Sequence, residues 1–108
     1  MTIRPTLPLA LLLALCCLAT AAAAQDAQAL RARSLAATCA ACHGTSGRGV
    51  EGSGIPALAG RPAATIEAQM KAFRSGDRPG TVMPQIARGY DDARIATIAR
   101  VFAAEQRP

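Results

Sequence analysis

Cys39-Ala40-Ala41-Cys42-His43 reads C-x-x-C-H, and the spacing of its three reactive side chains sets what the chain can fold around. Two thiols separated by two residues fit one helical turn, from which both can add to the vinyl groups of a single porphyrin. The histidine after the second thiol then falls beneath the iron as its proximal ligand, the pattern of c-type haem attachment. His43 is the sole histidine in 108 residues, so no second imidazole competes for that role. Two other uses of paired cysteines fit less well. A dithiol redox motif requires a βαβ setting, and nothing around residue 39 alternates as strands do. A structural zinc site takes four nitrogen or sulfur ligands. Downstream of the leader, the chain offers only Cys39, Cys42 and His43.

Residues 1–24 read as a secretory signal peptide. Arg4 supplies a thin positive start, Leu7 to Ala19 is a run dense in Leu and Ala, and Ala22-Ala23-Ala24 supplies the small residues before a cleavage site. Gln25 is the expected new N-terminus. A retained anchor is the alternative, although the run is short against the ~20 apolar residues a membrane span needs, and no stop-transfer pattern follows. Cys16 and Cys17 leave with the leader. Leu15 before Cys16, in place of a small residue, argues against a lipid anchor. Export exposes the two remaining thiols to an oxidising compartment where a disulfide is the default. Thioether bonds to haem consume both, which fits a bacterial periplasm and argues against stable membrane insertion once the leader is gone.

Residues 25–108 leave room for one domain. The 51% hydrophobic content is inflated by the leader, and the only aromatics are Phe73, Tyr90 and Phe102. A small alanine-rich domain has a marginal core, and a buried porphyrin supplies the missing apolar mass. The formal charge of +5 falls by one when Arg4 is removed. The remaining basic residues are scattered, with Lys71 the only lysine. A nucleic-acid surface requires a basic stripe with stacking aromatics, and none is present. A mildly basic rim suits an acidic redox partner; an ordinary solvated surface accounts for it equally well.

The pattern predicts an all-α domain of three main helices wrapped around covalently bound haem. Asp26 is placed to cap a first helix that runs through Leu30, Ser34 and Leu35 into the haem motif. Gly44 to Gly60 is a glycine-rich loop interrupted by Val50, Ile55, Pro56 and Leu58, suited to close approach to a flat ring. Pro62 opens a second helix that carries Ile66, Met70 and Phe73 on one face and ends near Ser75, with Gly76 as its C-cap. A third helix after Asp91 places Ile95, Ile98, Ala99 and Phe102 on one stripe.

A second protein ligand to iron would make the haem an electron carrier. Downstream of the leader there are two methionines. Met70 lies within a helical apolar face, where methionine is an ordinary core filler. Met83 lies in Asp77-Arg78-Pro79-Gly80-Thr81-Val82-Met83-Pro84, an irregular stretch stiffened by two prolines and far downstream of His43. Met83 is therefore the candidate sixth ligand; the alternative is packing against the ring.

The chain resembles class I c-type cytochromes of the small c4/c553 group, and within them the haem domains of the flavocytochrome c sulfide dehydrogenase cytochrome subunits. The resemblance rests on Cys39-Ala40-Ala41-Cys42-His43-Gly44-Thr45, Ile55-Pro56-Ala57-Leu58-Ala59-Gly60, Phe73-Arg74-Ser75-Gly76 and the run from Thr81 to Tyr90. It implies one haem c held through Cys39 and Cys42, with His43 and Met83 as axial ligands. It also implies a hydrogen bond from His43 Nδ1 to the Pro56 carbonyl, and a first helix packed across the last through Leu35 and Ile98. Val101, where many relatives carry an aromatic, and Arg31, near a position often held by a small residue, depart from the pattern. Three functions follow. The first is a free periplasmic shuttle between a dehydrogenase or flavoprotein and a terminal oxidase. The second is the haem subunit of a flavin-containing sulfide dehydrogenase. The third is an open-site haem enzyme or gas binder. In the first two, the chain carries electrons and does no catalysis of its own.

Overall fold

A computed structural model describes residues 7–106; Arg4, the charge expected to start the leader, lies outside them. The described residues are helical and contain no strand, so the chain is all-α. The order is α1 (Leu7–Ala37), α2 (Ala40–His43), a 3₁₀ turn (Thr45–Gly47), α3 (Ala63–Ser75), α4 (Met83–Ala87) and α5 (Asp92–Ala104). Two compact units divide the chain at Arg31 and Ala32. The described residues of the first unit are helical, with Leu9, Leu11, Leu12, Leu13, Leu15 and Leu18 all well exposed. By length and composition this helix could cross a membrane; a signal sequence passes the same test.

Asp26 does not begin a helix, contrary to the sequence expectation; it lies inside α1. The reason is local. From Leu9 to Ala37 there is neither Gly nor Pro, and the dominant Ala and Leu are strong helix formers, so nothing stops the helix short of Asp26. Pro8 sits in the first turn, where its missing N–H is harmless.

The haem motif also differs in detail from an extension of the first helix. The chain turns at Thr38 and Cys39, and Ala40–His43 forms a separate single turn. Thr38 marks the break by donating its hydroxyl to the Leu35 carbonyl at 2.8 Å.

The second unit is built on α3 and α5, which pack on each other, with α4 against α3. Its core joins Ile66 and Met70 of α3, Ala87 of α4, and Ile95, Ile98, Ala99 and Phe102 of α5. These are the apolar stripes the periodicity predicts. Pro62 caps α3 and a left-handed Gly76 ends it, while the Asp91 carboxylate accepts from the Arg94 N–H to start α5. The first helix contributes less than the resemblance implies. α5 leans chiefly on α3, and α1 adds Ala36 to the core with Leu35 beside it. Val101 is half-buried against the same cluster, and Arg31 is exposed.

The glycine-rich segment is not a free loop. Leu58 and Ala59 both donate their N–H to the Gly47 carbonyl, at 2.7 and 2.9 Å, and Gly60 donates to Phe102 O at 2.9 Å. Gly47 has φ +70°, and a Cβ there would stand 2.6 Å from the Phe102 ring. Gly47→Ala therefore combines left-handed backbone strain with an overpacked core. We expect a loss of roughly 2–4 kcal/mol, measured as a fall in the thermal or denaturant midpoint of the holoprotein.

Arg74 ties α3 to the start of α5. Its guanidinium donates to the Tyr90 carbonyl at 3.0 Å and to the Asp92 carboxylate, and Lys71 lies 3.8 Å from the other Asp92 oxygen. The hydrogen bond from Arg74, helped by the charges of Lys71 and Arg74, holds the Asp92 pKa below that of an ordinary aspartate. A carboxylate depressed in the folded state adds stability above its unfolded pKa and loses it as pH falls through the folded value. Asp92→Asn should therefore be less stable than the parent at pH 7 and match it once Asp92 is protonated, below the range of ordinary aspartates. The difference should be small, because Asp92 is exposed. Paired denaturation curves from pH 7 to pH 2 test this, and a gap that persists at pH 2 would contradict it.

Candidate haem-binding site

The turn of α2 presents Cys39 half-buried, Cys42 exposed and His43 buried. Both sulfurs are free thiols. Burial pushes the Cys39 thiol up, so Cys39 stays protonated at neutral pH. The fold holds His43 by two contacts. Its backbone carbonyl accepts from the Gly49 N–H at 2.7 Å, and its ring Nδ1 stands 2.7 Å from the Pro56 carbonyl. A carbonyl can only accept, so Nδ1 carries the proton. In the neutral ring, Nε2 is then left with its lone pair free.

Cys39, Cys42, His43 and Pro56 line a cavity of about 520 Å³, within the ~300–1,000 Å³ usual for cofactor sites. The rest of the wall is largely apolar and includes Ile55, Leu58, Ile66, Phe73, Val82 and Ile98. Size, apolar lining and two free thiols beside a fixed imidazole fit a covalently held porphyrin.

Both methionines reach this cavity. Met70 is buried, 7% exposed, and belongs to the core. Met83 is half-buried and does not stand on an irregular loop: it is the first residue of α4, with Pro84 next. Proline is suited to the first turn of a helix, so the stiffening expected of Pro84 takes the form of a helix start.

Three further lining residues were not singled out by the sequence reading: Tyr90, Arg78 and Gln69. Thr38 has one hydroxyl proton and gives it to Leu35, so the Tyr90 hydroxyl, 3.1 Å away, must be the donor to Thr38. This bond joins the residue just before the haem motif to the segment that leads into α5. No local pattern marks a partnership across 52 positions.

Residues 23–100 match the family described as cytochrome c oxidase, cbb3-type, subunit III. The chain belongs to the cytochrome c family. This cytochrome c domain is 39% identical over 72 residues to cytochrome c-554(548) of Halomonas halodenitrificans, an alignment covering 64% of the chain and 86% of that protein. It is also 39% identical over 72 residues to the cytochrome subunit of sulfide dehydrogenase of Chlorobaculum tepidum, covering 67% of the chain and 64% of that subunit. Against the thiosulfate dehydrogenase electron acceptor of Stutzerimonas stutzeri it is 43% identical over 68 residues, covering 60% of the chain. The aligned part spans only 31% of that acceptor. The family carries covalently bound haem c, and the donor set of this cavity suits it.

Proposed function

We propose that this cytochrome c domain is a periplasmic electron carrier holding one haem c through Cys39 and Cys42, with His43 and Met83 as axial ligands. The observation that carries this reading is the His43–Pro56 hydrogen bond, which leaves Nε2 as a free base at the wall of an apolar cavity flanked by two thiols. When bound, haem supplies a one-electron iron couple. The protein's part is to hold that couple in place. Pro56 orients the His43 ring and raises its basicity, and Met83, a soft thioether, favours the reduced metal. The apolar wall disfavours net charge beside the iron. Residues 1–24 are the export signal, removed after Ala24.

A second reading makes the chain the haem subunit of a dehydrogenase that oxidises reduced sulfur. The relatives named as a sulfide dehydrogenase subunit and a thiosulfate dehydrogenase electron acceptor favour it. Catalysis would then reside on a partner such as a flavoprotein. Absorption spectra of the oxidised and reduced protein, purified from a host that matures c-type haem, test the first proposal. A sulfur-to-iron charge-transfer band in the ferric form and a sharp low-spin ferrous spectrum are expected. A high-spin spectrum would overturn His–Met ligation. A flavoprotein that copurifies in fixed stoichiometry would favour the second reading.

A further inference from the structure

We propose that Arg78 binds a carboxylate of the porphyrin, which makes it a cofactor-binding residue in addition to those of the haem motif. This rests on the haem reading above. Among the residues lining the cavity, Arg78 is the only one with a permanent charge; the other titratable lining groups are Cys39, Cys42, His43 and Tyr90. None is a carboxylate, so nothing in the wall balances the guanidinium.

The acidic side chains nearest in sequence are engaged elsewhere. Asp77, next in the chain, accepts from the Ser75 hydroxyl at 2.6 Å; Asp92 is paired with Arg74 and Lys71; and Asp91 caps α5. Arg78 has no ion-pair partner among the described residues.

Arg78 is nevertheless held in place. Its backbone N–H donates to Ala72 O at 3.0 Å, and its guanidinium carbon lies 4.8 Å from the centroid of the Phe73 ring. Phe73 lines the same cavity, and Gly80 lies so close to Phe73 and Pro84 that a Cβ there would stand 3.1 Å from each. A cation stacked on an aromatic face keeps its N–H edge free for a planar anion, and a guanidinium matches a carboxylate two bonds at a time. A porphyrin brings such carboxylates into a cavity whose remaining wall is apolar.

The test is the midpoint potential of the holoprotein, measured against pH for the parent, Arg78→Gln and Arg78→Lys, after covalent haem has been confirmed by its stain on a denaturing gel. In the parent, the guanidinium holds the porphyrin carboxylate ionised. In Arg78→Gln, the potential should fall by about 59 mV, a tenfold drop in the ferrous-to-ferric ratio at fixed poise. The ionisation that bends the potential–pH curve should also move up by about one pH unit. Arg78→Lys keeps the charge but loses the fork, and should shift the bend less in the same direction. An unchanged curve in either variant overturns the proposal, and so does a lower potential with the bend in place, since the guanidinium would then be a nearby charge and not a ligand. A parent without covalent haem would sink the haem reading itself, and this inference with it.

Discussion

His43→Ala is expected to abolish the mature holoprotein. The imidazole is 8% exposed and its Nδ1–H is the hydrogen-bond partner of the Pro56 carbonyl, so truncation removes a buried side chain and that bond before any metal ligand is counted. Haem attachment then has to proceed with no nitrogen base beneath the iron. A chain that fails to attach haem faces an opening of about 520 Å³ in a domain whose core includes four alanines, Ala36, Ala59, Ala87 and Ala99. Without the porphyrin the apolar wall of that opening is left facing water, and a small domain with so slight a core depends on covering it. The variant should therefore be degraded or recovered without colour. Cys39→Ala and Cys42→Ala should sharply reduce the covalent product, because each leaves one thiol for two vinyl groups. Haem staining of a denaturing gel reads all three variants, and a band of parental intensity from His43→Ala would falsify the attachment model.

Met83→Ala has the second largest expected effect, of a different kind. The covalent bonds and His43 remain, so the variant should mature and keep its colour. α4 retains Pro84 and the buried Ala87, and truncating a half-buried methionine should cost no more than the low end of the ~2–5 kcal/mol range. What changes is the iron. If Met83 is the axial ligand proposed, losing it disfavours the ferrous state, and the ferrous-to-ferric ratio at fixed poise should fall on the order of a hundredfold, about 120 mV for a one-electron couple. Carbon monoxide should then bind the ferrous protein at neutral pH, which the parent is expected to resist. Met70→Ala is the discriminating control. Met70 is buried in the core, so its loss should cost stability and leave the potential near the parent's. If Met70→Ala opens the iron while Met83→Ala does not, the two methionines exchange roles. An iron open in the parent would make this an open-site haem protein.

The parts of the molecule legible in the sequence are those decided by nearest neighbours. Pro62, Gly76 and Asp91 delimit α3 and α5 because caps act within one turn, and the stripes Ile66–Met70 and Ile95–Ile98–Ala99–Phe102 follow from helical period alone. The five-residue haem motif needs no tertiary knowledge either. Asp26 misled because a capping residue signals a helix start only where the preceding chain is not already helical. The break between Ala37 and Ala40 was missed because it is made by Thr38, whose side chain competes for the Leu35 carbonyl. Met83 was read as irregular because five residues are too few to show a period. Arg78 and Tyr90 were invisible for another reason: their significance lies in facing a cavity assembled from five separate segments.

Tyr90 has a further use. The chain contains no tryptophan and one tyrosine, so its tyrosine emission originates from a single ring on the cavity wall. A porphyrin in that cavity would sit within a few ångströms of the emitter and absorb where it emits, so energy transfer would darken it. Residual tyrosine fluorescence in a preparation therefore counts the molecules that never received their pigment, and its disappearance during maturation follows filling of the cavity in real time without any label.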